Sequence, residues 1–176
     1  MTSTTRHLLS LAAIVALAGV PATAAAADHG PVVRASGPLV DLQPASAGPF
    51  DGARASVQIV ASAHGSHTVL RVTGIDPAVG GQTFGAHLHV GPCVAGNGAA
   101  AGAHYNTDVI AGALPVEISA ATEVWLDLSV DGGAATSTAS VPFVPLPGTR
   151  AVVIHALPTD GTGAAGARLA CLPVVW

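Results

Sequence analysis

Short segments in which apolar and polar residues alternate, separated by frequent glycine and proline, constrain the fold of this chain most strongly. The alternation is clearest at 57–61 and 124–130, where every second side chain is apolar. A period of two places those side chains on one face of a β-strand. The 21 glycines and 13 prolines divide the chain into short pieces, and no segment keeps a 3.6-residue apolar period over a helical length. We therefore predict an all-β domain, built as a sandwich or barrel.

Turn-forming residues separate the predicted strands. A Gly65-Ser66 turn leads into a strand at 68–73 with Leu70 and Val72 directed inward, and an Asp131-Gly132-Gly133 turn precedes a returning strand. Strands are also predicted at Phe84–Val90, Val124–Val130, Thr136–Phe143, Arg150–His155 and Arg168–Val175. The glycine- and alanine-rich stretches 95–102 and 159–167 are predicted loops at the rim of a site, and residues 28–40 a loose leader.

Residues 1–27 have the pattern of a secretory signal. Arg6 and His7 form a short polar start, an apolar run extends from Leu8 to Val20, and Pro21 precedes a stretch of small residues. A membrane anchor is the alternative, but the apolar run is short for a membrane span. We expect a secreted protein without a membrane span, whose single domain comprises residues 28–176.

The charge of the chain limits its partners. Lysine is absent, the formal net charge is −4, and five arginines remain after the signal is removed. Arginines scattered in this way are not expected to form the basic face that a nucleic-acid-binding protein needs. No nucleic-acid partner is predicted, and the oligomeric state is left open.

Cys93 and Cys171 are the two cysteines of the chain. In an oxidising compartment two cysteines are free to form a disulfide, which would join an early loop to the last strand. Two buried free thiols, or two separate metal ligands, are the alternatives at this point.

Four histidines form a candidate metal site. His87 and His89 lie two residues apart on an extended segment, so both rings point to the same side. His104 follows a loop, and His155 ends an apolar strand. Imidazole-only sites suit copper and zinc, and a site without a carboxylate favours copper. The alternative is a set of solvent-exposed histidines on a strand. His29, His64 and His67 lie in the leader or beside a turn and are not included in the site.

The surroundings of these histidines resemble a known family. Gly85-Ala86-His87-Leu88-His89, Cys93 and Gly102-Ala103-His104-Tyr105-Asn106 are similar to the copper-site segment of Cu/Zn superoxide dismutases, with the spacing of the secreted bacterial branch. Val152-Val153-Ile154-His155 resembles the strand that carries the last copper ligand. Gly166-Ala167-Arg168-Leu169-Ala170-Cys171 resembles the closing segment, where an arginine precedes the disulfide cysteine by three positions.

The resemblance implies a fold and a set of roles. The fold would be a single immunoglobulin-like domain, an eight-stranded Greek-key β-barrel or sandwich. His87, His89, His104 and His155 would bind copper, and Cys93 and Cys171 would form the disulfide. Arg168 would attract and hydrogen-bond the anionic substrate, superoxide. His104 would release copper on reduction and carry a proton.

The chain differs from the zinc-containing members of that family. Residues 107–122 contain no histidine, and Asp108 and Glu117 are their acidic residues. These are too few ligands for a nitrogen-rich zinc site, so zinc is predicted to be absent. The pattern resembles a copper-only branch in which a glutamate holds the histidine that would otherwise bridge two metals. Glu123 is the best match for that glutamate; a solvated residue at a strand start is the alternative.

The sequence therefore predicts an exported copper-dependent superoxide dismutase, which converts superoxide to oxygen and hydrogen peroxide. The alternative is a secreted copper-binding or copper-delivery domain with little turnover. A β-domain that binds no metal is the third possibility.

Overall fold

The computed structural model describes residues 1–2 and 30–176, so the predicted signal segment lies almost entirely outside the described residues. The described part is mostly antiparallel β-structure, which confirms the all-β prediction. It also contains two single-turn 3-10 helices and one five-residue α-helix, α1 (Thr107–Ala111). None of these helices is long and apolar enough to cross a membrane.

Ten strands are present among the described residues: β1 (Val32–Pro38), β2 (Val40–Asp41), β3 (Arg54–Ser62), β4 (Gly65–Thr73), β5 (Thr83–Phe84), β6 (Ala86–His89), β7 (Leu128–Ser129), β8 (Ala134–Val141), β9 (Thr149–His155) and β10 (Arg168–Val175). They form a four-stranded sheet in the order β1-β3-β4-β8, a second in the order β2-β10-β9-β6, and the pair β5-β7. The described strands do not close into a hydrogen-bonded barrel.

The two larger sheets share one core. The first contributes the inward residues of β3 and β4, which include Val57 and Ile59 and the fully buried Leu70 and Val72, as predicted. The second contributes alternate residues of β6, β9 and β10, namely Ala86, Leu88, Val152, Ile154, Ala170, Leu172 and Val174. The core is therefore built largely from aliphatic side chains, consistent with an aromatic content of 3%.

The first hairpin differs in its turn from the prediction. β3 and β4 pair from Arg54–Thr73 to Ser62–Gly65, so the two-residue turn is Ala63-His64 and not Gly65-Ser66. Gly65 begins β4 with a φ of +123°, a region that favours glycine. A side chain at Gly65 would also meet the backbone of Pro142 within 2.8 Å. Glycine here thus permits close approach of the neighbouring chain and does not form the turn.

The predicted strand at 124–130 is buried but mostly lacks a regular ladder. Its four alternating apolar residues are all in the core, yet only Leu128–Ser129 forms a strand, paired with β5. The Gly132-Gly133 turn is confirmed by an Asp131–Ala134 bridge, but β8 then runs beside β4 over its whole length. Alternation specifies which face is buried and does not specify the partner strand, so the predicted hairpin pairing was wrong.

The N-terminal leader was also predicted wrongly from residue 32 onward. β1 pairs with β3 over seven residues, from Val32–Val60 to Pro38–Arg54. Val33 and Ala35 pack against the core. Without β1, the backbone of β3 would be an unpaired edge, and β1 therefore completes the sheet.

The second sheet positions the histidines. β6 pairs with β9 in a register that places His87 opposite Val153 and His89 opposite Ala151. These residues lie on the face directed away from the shared core. The disulfide between Cys93 and Cys171 is confirmed, with 5.8 Å between the two Cα atoms, and it ties the loop after β6 to β10.

Candidate metal centre

The four predicted histidine ligands converge on the outer face of the second sheet. His87 and His89 come from β6, His155 comes from the end of β9, and His104 forms an isolated bridge with His89. One ring nitrogen from each of the four residues lies within 4.8 Å of the others. His87, His89 and His155 are buried, whereas the side chain of His104 is 19% exposed. The cluster therefore has one partly open side, at His104.

The loop between β9 and β10 packs against the start of β6 and contacts His87. Gly85 precedes β6, and its carbonyl accepts a 2.7 Å hydrogen bond from the amide of His155. A side chain at Gly85 would meet the Cβ of Ala165 at 2.6 Å. Glycine at this position therefore lets the loop between β9 and β10 pack directly over β6.

Backbone carbonyls orient two of the rings. His89 Nδ1 donates to the carbonyl oxygen of Gly102 at 3.1 Å, and His155 Nδ1 donates to that of Gly166 at 3.2 Å. A carbonyl can only accept, so each Nδ1 carries the proton and each Nε2 is left with a free lone pair. The two Nε2 atoms face each other at 3.3 Å. Two lone pairs at this distance repel, and a cation bound between them would convert the repulsion into two ligand bonds.

His87 is held with the opposite nitrogen directed into the cluster. The hydroxyl of Thr159 donates to the carboxylate of Asp127 and accepts a 2.7 Å hydrogen bond from His87 Nε2. The amide of Thr159 also donates to Asp127, at 2.9 Å. His87 Nδ1 is buried and has no hydrogen-bond partner among the described residues. Buried polar atoms are rarely left unpaired, so this nitrogen has the position expected of a ligand.

His104 is held by Glu123. His104 Nδ1 donates to Glu123 Oε2 at 2.7 Å, which leaves Nε2 free. Trp125 Nε1 donates to the same oxygen at 2.8 Å, and Asn106 Nδ2 donates to Oε1 at 3.1 Å. Burial raises the pKa of Glu123, but the hydrogen bonds from His104, Trp125 and Asn106 outweigh this effect and leave the pKa below its ordinary value. Glu123 is therefore an ionised, buried carboxylate, and not a solvated residue at a strand start.

Burial and mutual repulsion keep the cluster neutral. Burial, together with the charges of neighbouring histidines and Arg168, lowers the pKa of His87 and of His89 to about 2. The same causes lower the pKa of His155 to about 4, against a hydrogen bond to Gly166 that raises it. Neutral imidazole is the form that binds a metal ion, so these three rings are ready to act as ligands near neutral pH.

These observations fit a bound metal ion. Four nitrogens converge, each ring has an acceptor on its other nitrogen, and three of the rings are buried in neutral form. Partners of this kind fix the orientation of metal-binding histidines in proteins generally. The cluster could therefore hold a metal ion through His87 Nδ1 and the Nε2 atoms of His89, His104 and His155.

Arg168 lies beside the cluster, as predicted. Its guanidinium donates to the carbonyl oxygens of Gly98 at 2.6 Å and Gly102 at 2.7 Å. Burial lowers its pKa, but an arginine keeps its charge at any physiological pH. The carbonyl of Gly102 also accepts from His89 Nδ1, and Arg168 lies opposite His155 in the register of β9 and β10, so the arginine borders the cluster.

Sequence reasoning missed three residues that support the cluster. Asp127 and Thr159 orient His87, and Trp125 donates to Glu123. Asp127 and Trp125 occupy the polar phase of the alternation at 124–130, which indicated only that they face away from the core. Thr159 lies in the loop predicted to rim a site. Of the excluded histidines, His64 is exposed and His67 contacts Ser140, while His29 lies outside the described residues.

Comparison with known proteins adds no assignment. No family model matches the chain, and no curated protein shows significant similarity to it.

Proposed function

We propose that this protein is an exported copper-dependent superoxide dismutase with the Greek-key, immunoglobulin-like sandwich of that family. The observation that carries the proposal is the four-histidine cluster with Arg168 beside it. Three of the histidines are buried, and a cation beside the cluster is the group expected at a site that uses a small anion. The predicted signal at residues 1–27 and the Cys93–Cys171 disulfide support export to an oxidising compartment.

The donor set favours copper. The four ligand candidates are all imidazoles, with no carboxylate or thiolate among them, and this set suits copper or zinc over harder cations. Zinc is predicted to be absent from a second site, because Glu123 occupies the Nδ1 side of His104 and is already paired with three donors. Bound copper would supply one-electron redox chemistry, accepting an electron from one superoxide and returning it to another.

Arg168 would bind the substrate anion. Two backbone carbonyls hold its guanidinium, so it stays near the cluster with its remaining N–H groups available to an oxygen of superoxide. Its charge would offset the net negative charge of the chain at this point on the surface. Substrate is thereby attracted and oriented by one preorganised group.

His104 would carry a proton. It is the most exposed of the four rings, and its Nε2 is directed into the cluster. Glu123 holds the proton on Nδ1, so a proton gained at Nε2 would form an imidazolium beside a carboxylate, which stabilises the charge. The reduced oxygen can then take that proton, and a second proton from water, before it leaves as hydrogen peroxide.

Copper loading and a turnover assay test the proposal. We expect the purified protein to bind about one copper at its four-histidine site and to remove superoxide generated by pulse radiolysis. His155→Ala should lose both copper and activity, whereas His64→Ala, which changes an exposed turn residue, should retain both. Copper-loaded protein with no more activity than free copper would contradict the proposal.

Copper binding or delivery without turnover is the second candidate, and the same four histidines support it. The guanidinium of Arg168 favours the enzyme, because storage of a cation gains nothing from a nearby positive charge. Stable copper binding together with absence of turnover would identify the binding protein.

A further inference from the structure

A second functional surface lies on the other side of the sandwich, on the outer face of the first sheet. The registers of β1, β3, β4 and β8 place four outward residues of each strand in four rows. The rows are Val32-Val60-His67-Ser140, Arg34-Gln58-Val69-Thr138, Ser36-Ser56-Arg71-Thr136 and Pro38-Arg54-Thr73-Ala134. We refer to these residues as the arginine face.

Three of the five arginines in residues 30–176 lie on this face, and no acidic residue does. The sequence prediction that scattered arginines form no basic face was therefore wrong. Arg34, Arg54 and Arg71 are separated by 16 or more residues in the chain, and only the strand register brings them together. A chain with a net charge of −4 thus collects three positive charges in one place.

The three guanidiniums have no counter-charge within the described residues. All three residues are exposed, and none makes a side-chain hydrogen bond or ion pair there. Arg54 and Arg71 are diagonal neighbours on adjacent strands, a relation that places such residues about 7–8 Å apart. Like charges at this separation repel, so the arrangement does not serve the stability of the sheet. A ligand that brings several negative charges would remove the repulsion.

Hydroxyl and amide groups fill the space between the arginines. Arg34 and Arg71 line one shallow cavity of ≈ 230 Å³ with Ser36, Ser56 and Gln58. Arg54 and Arg71 line the adjoining cavity of ≈ 290 Å³ with Ser36, Ser56 and Thr73. Arg71 thus lies between two depressions that are both lined by side chains able to hydrogen-bond sugar hydroxyls.

We propose that the arginine face binds a linear anionic polysaccharide, with Arg34, Arg71 and Arg54 contacting successive sulfate or carboxylate groups. Guanidinium pairs with such groups through two parallel hydrogen bonds. The face has no phenylalanine, tyrosine or tryptophan on which bases of a single-stranded nucleic acid could stack. Val32 is the one large apolar side chain of this face that is exposed, which is too little apolar surface to insert into a membrane.

The location of the face is compatible with a working metal centre. The histidines lie on the outer face of the second sheet, and the shared core separates the two surfaces. A polymer held on the arginine face would leave the side chain of His104 accessible. The protein would thus be retained at a polyanionic surface, such as an extracellular matrix or cell wall, with its metal site directed away from it.

Binding of a defined polymer tests the proposal. We expect fluorescent dextran sulfate to bind the purified protein, and neutral dextran not to bind. If three arginines each contact one sulfate, a plot of the logarithm of the binding constant against the logarithm of the salt concentration should have a slope of about −2 to −3. Arg34→Gln/Arg54→Gln/Arg71→Gln should weaken binding by at least about tenfold, since charge-assisted hydrogen bonds from three guanidiniums are lost.

The matched control changes the net charge equally at another place. Ala45→Asp/Ala47→Asp/Gln82→Glu alters three exposed residues outside the arginine face. This variant should retain most of the affinity. Equal losses in the two triple variants would overturn the proposal, and so would absence of binding by the unmodified protein. Tighter binding to single-stranded DNA or to vesicles of anionic phospholipid would overturn the choice of a polysaccharide.

Thermal unfolding of the same variants tests whether a loss of polymer binding comes from a loss of stability. Because the arginine variant removes like-charge repulsion, its melting temperature should equal or exceed that of the unmodified protein. A large loss of stability, accompanied by loss of binding, would show that the arginines support the sheet and would contradict the proposal. The copper content should stay unchanged in both triple variants.

Discussion

His89 and Arg168 share one hydrogen-bond acceptor, the carbonyl oxygen of Gly102. His89 Nδ1 donates to it at 3.1 Å and Arg168 Nη2 at 2.7 Å. The same carbonyl therefore orients a ligand candidate and the group proposed to bind the substrate. The disulfide at Cys93 fixes one end of the loop that carries Gly102. The position of the arginine relative to the cluster is thus determined by the backbone and not by a flexible side chain alone.

Replacing Arg168 should lower the rate of reaction with superoxide and leave copper binding unchanged. We expect Arg168→Gln to lower the second-order rate constant with superoxide by about tenfold to a hundredfold, because both attraction and orientation of the anion are lost. The rate constant of Arg168→Lys should lie between those of the unmodified protein and Arg168→Gln, since lysine keeps the charge but lacks the paired N–H groups of the guanidinium. The rates are measured by pulse radiolysis at several ionic strengths.

Arg71→Gln is the matched control, because it removes one positive charge from the opposite side of the sandwich. It should change the rate by less than about twofold, since a charge beyond one Debye length is largely screened. If Arg168→Gln and Arg71→Gln lower the rate equally, Arg168 has no special part in binding the substrate.

The sequence contained enough information to predict strands β9 and β10 and to select the four histidines that converge. The bounds of β10 match the prediction, and those of β9 differ by one residue. β9 ends at His155 and β10 begins at Arg168, two residues to which the family resemblance assigns roles. Alternation also identified the buried residues of the segment 124–130.

Contacts between distant segments could not be predicted in the same way. Asp127 and Thr159 are 32 positions apart, and they meet because the loop after β9 packs against β6. The grouping of the three arginines depends on the registers of the pairs β1–β3 and β3–β4, and a shift of β1 or β4 by one residue would turn its arginine toward the core. A period of two predicts on which face of a strand a side chain lies. Which residues are its neighbours on the adjacent strands depends on tertiary packing.

The hydrogen-bond chain from Asp127 through Thr159 to His87 should strengthen metal binding. We expect Thr159→Ala and Asp127→Asn each to weaken copper affinity by about 10- to 100-fold, the usual effect of losing a partner that orients a metal-binding histidine. Competition with a chelator of known affinity measures the change. Thr162→Ala removes a hydroxyl from the same loop that bonds only Asp160, so its affinity should be unchanged. If all three variants bind copper as tightly as the unmodified protein, His87 needs no hydrogen-bond partner to bind the metal.

Glu123→Gln should separate two proposed roles of Glu123, orienting the ring of His104 and stabilising its imidazolium form. The amide can still accept a hydrogen bond from His104, but it cannot stabilise an imidazolium as a carboxylate does. We expect turnover to fall by about tenfold or more while copper affinity falls less, because the ring stays oriented. Comparison with Asp108→Asn, an exchange in the nearby helix α1, tests whether any loss of negative charge has this effect. A larger loss of copper affinity than of turnover would assign Glu123 to metal binding alone.

The buried histidines should make the metal-free protein sensitive to mild acid. In the folded protein the pKa is lowered to about 2 for His87 and His89 and to about 4 for His155, whereas an unfolded histidine titrates near 6.5. Between these values the unfolded chain binds more protons than the folded one, so the free energy of unfolding falls as the pH drops below about 6.5. Urea unfolding of metal-free protein from pH 7.5 to 4.5 should therefore show decreasing stability. His87→Gln, which removes one titrating group, should reduce the slope. A free energy of unfolding that is constant across this range would show that the rings are not buried in neutral form.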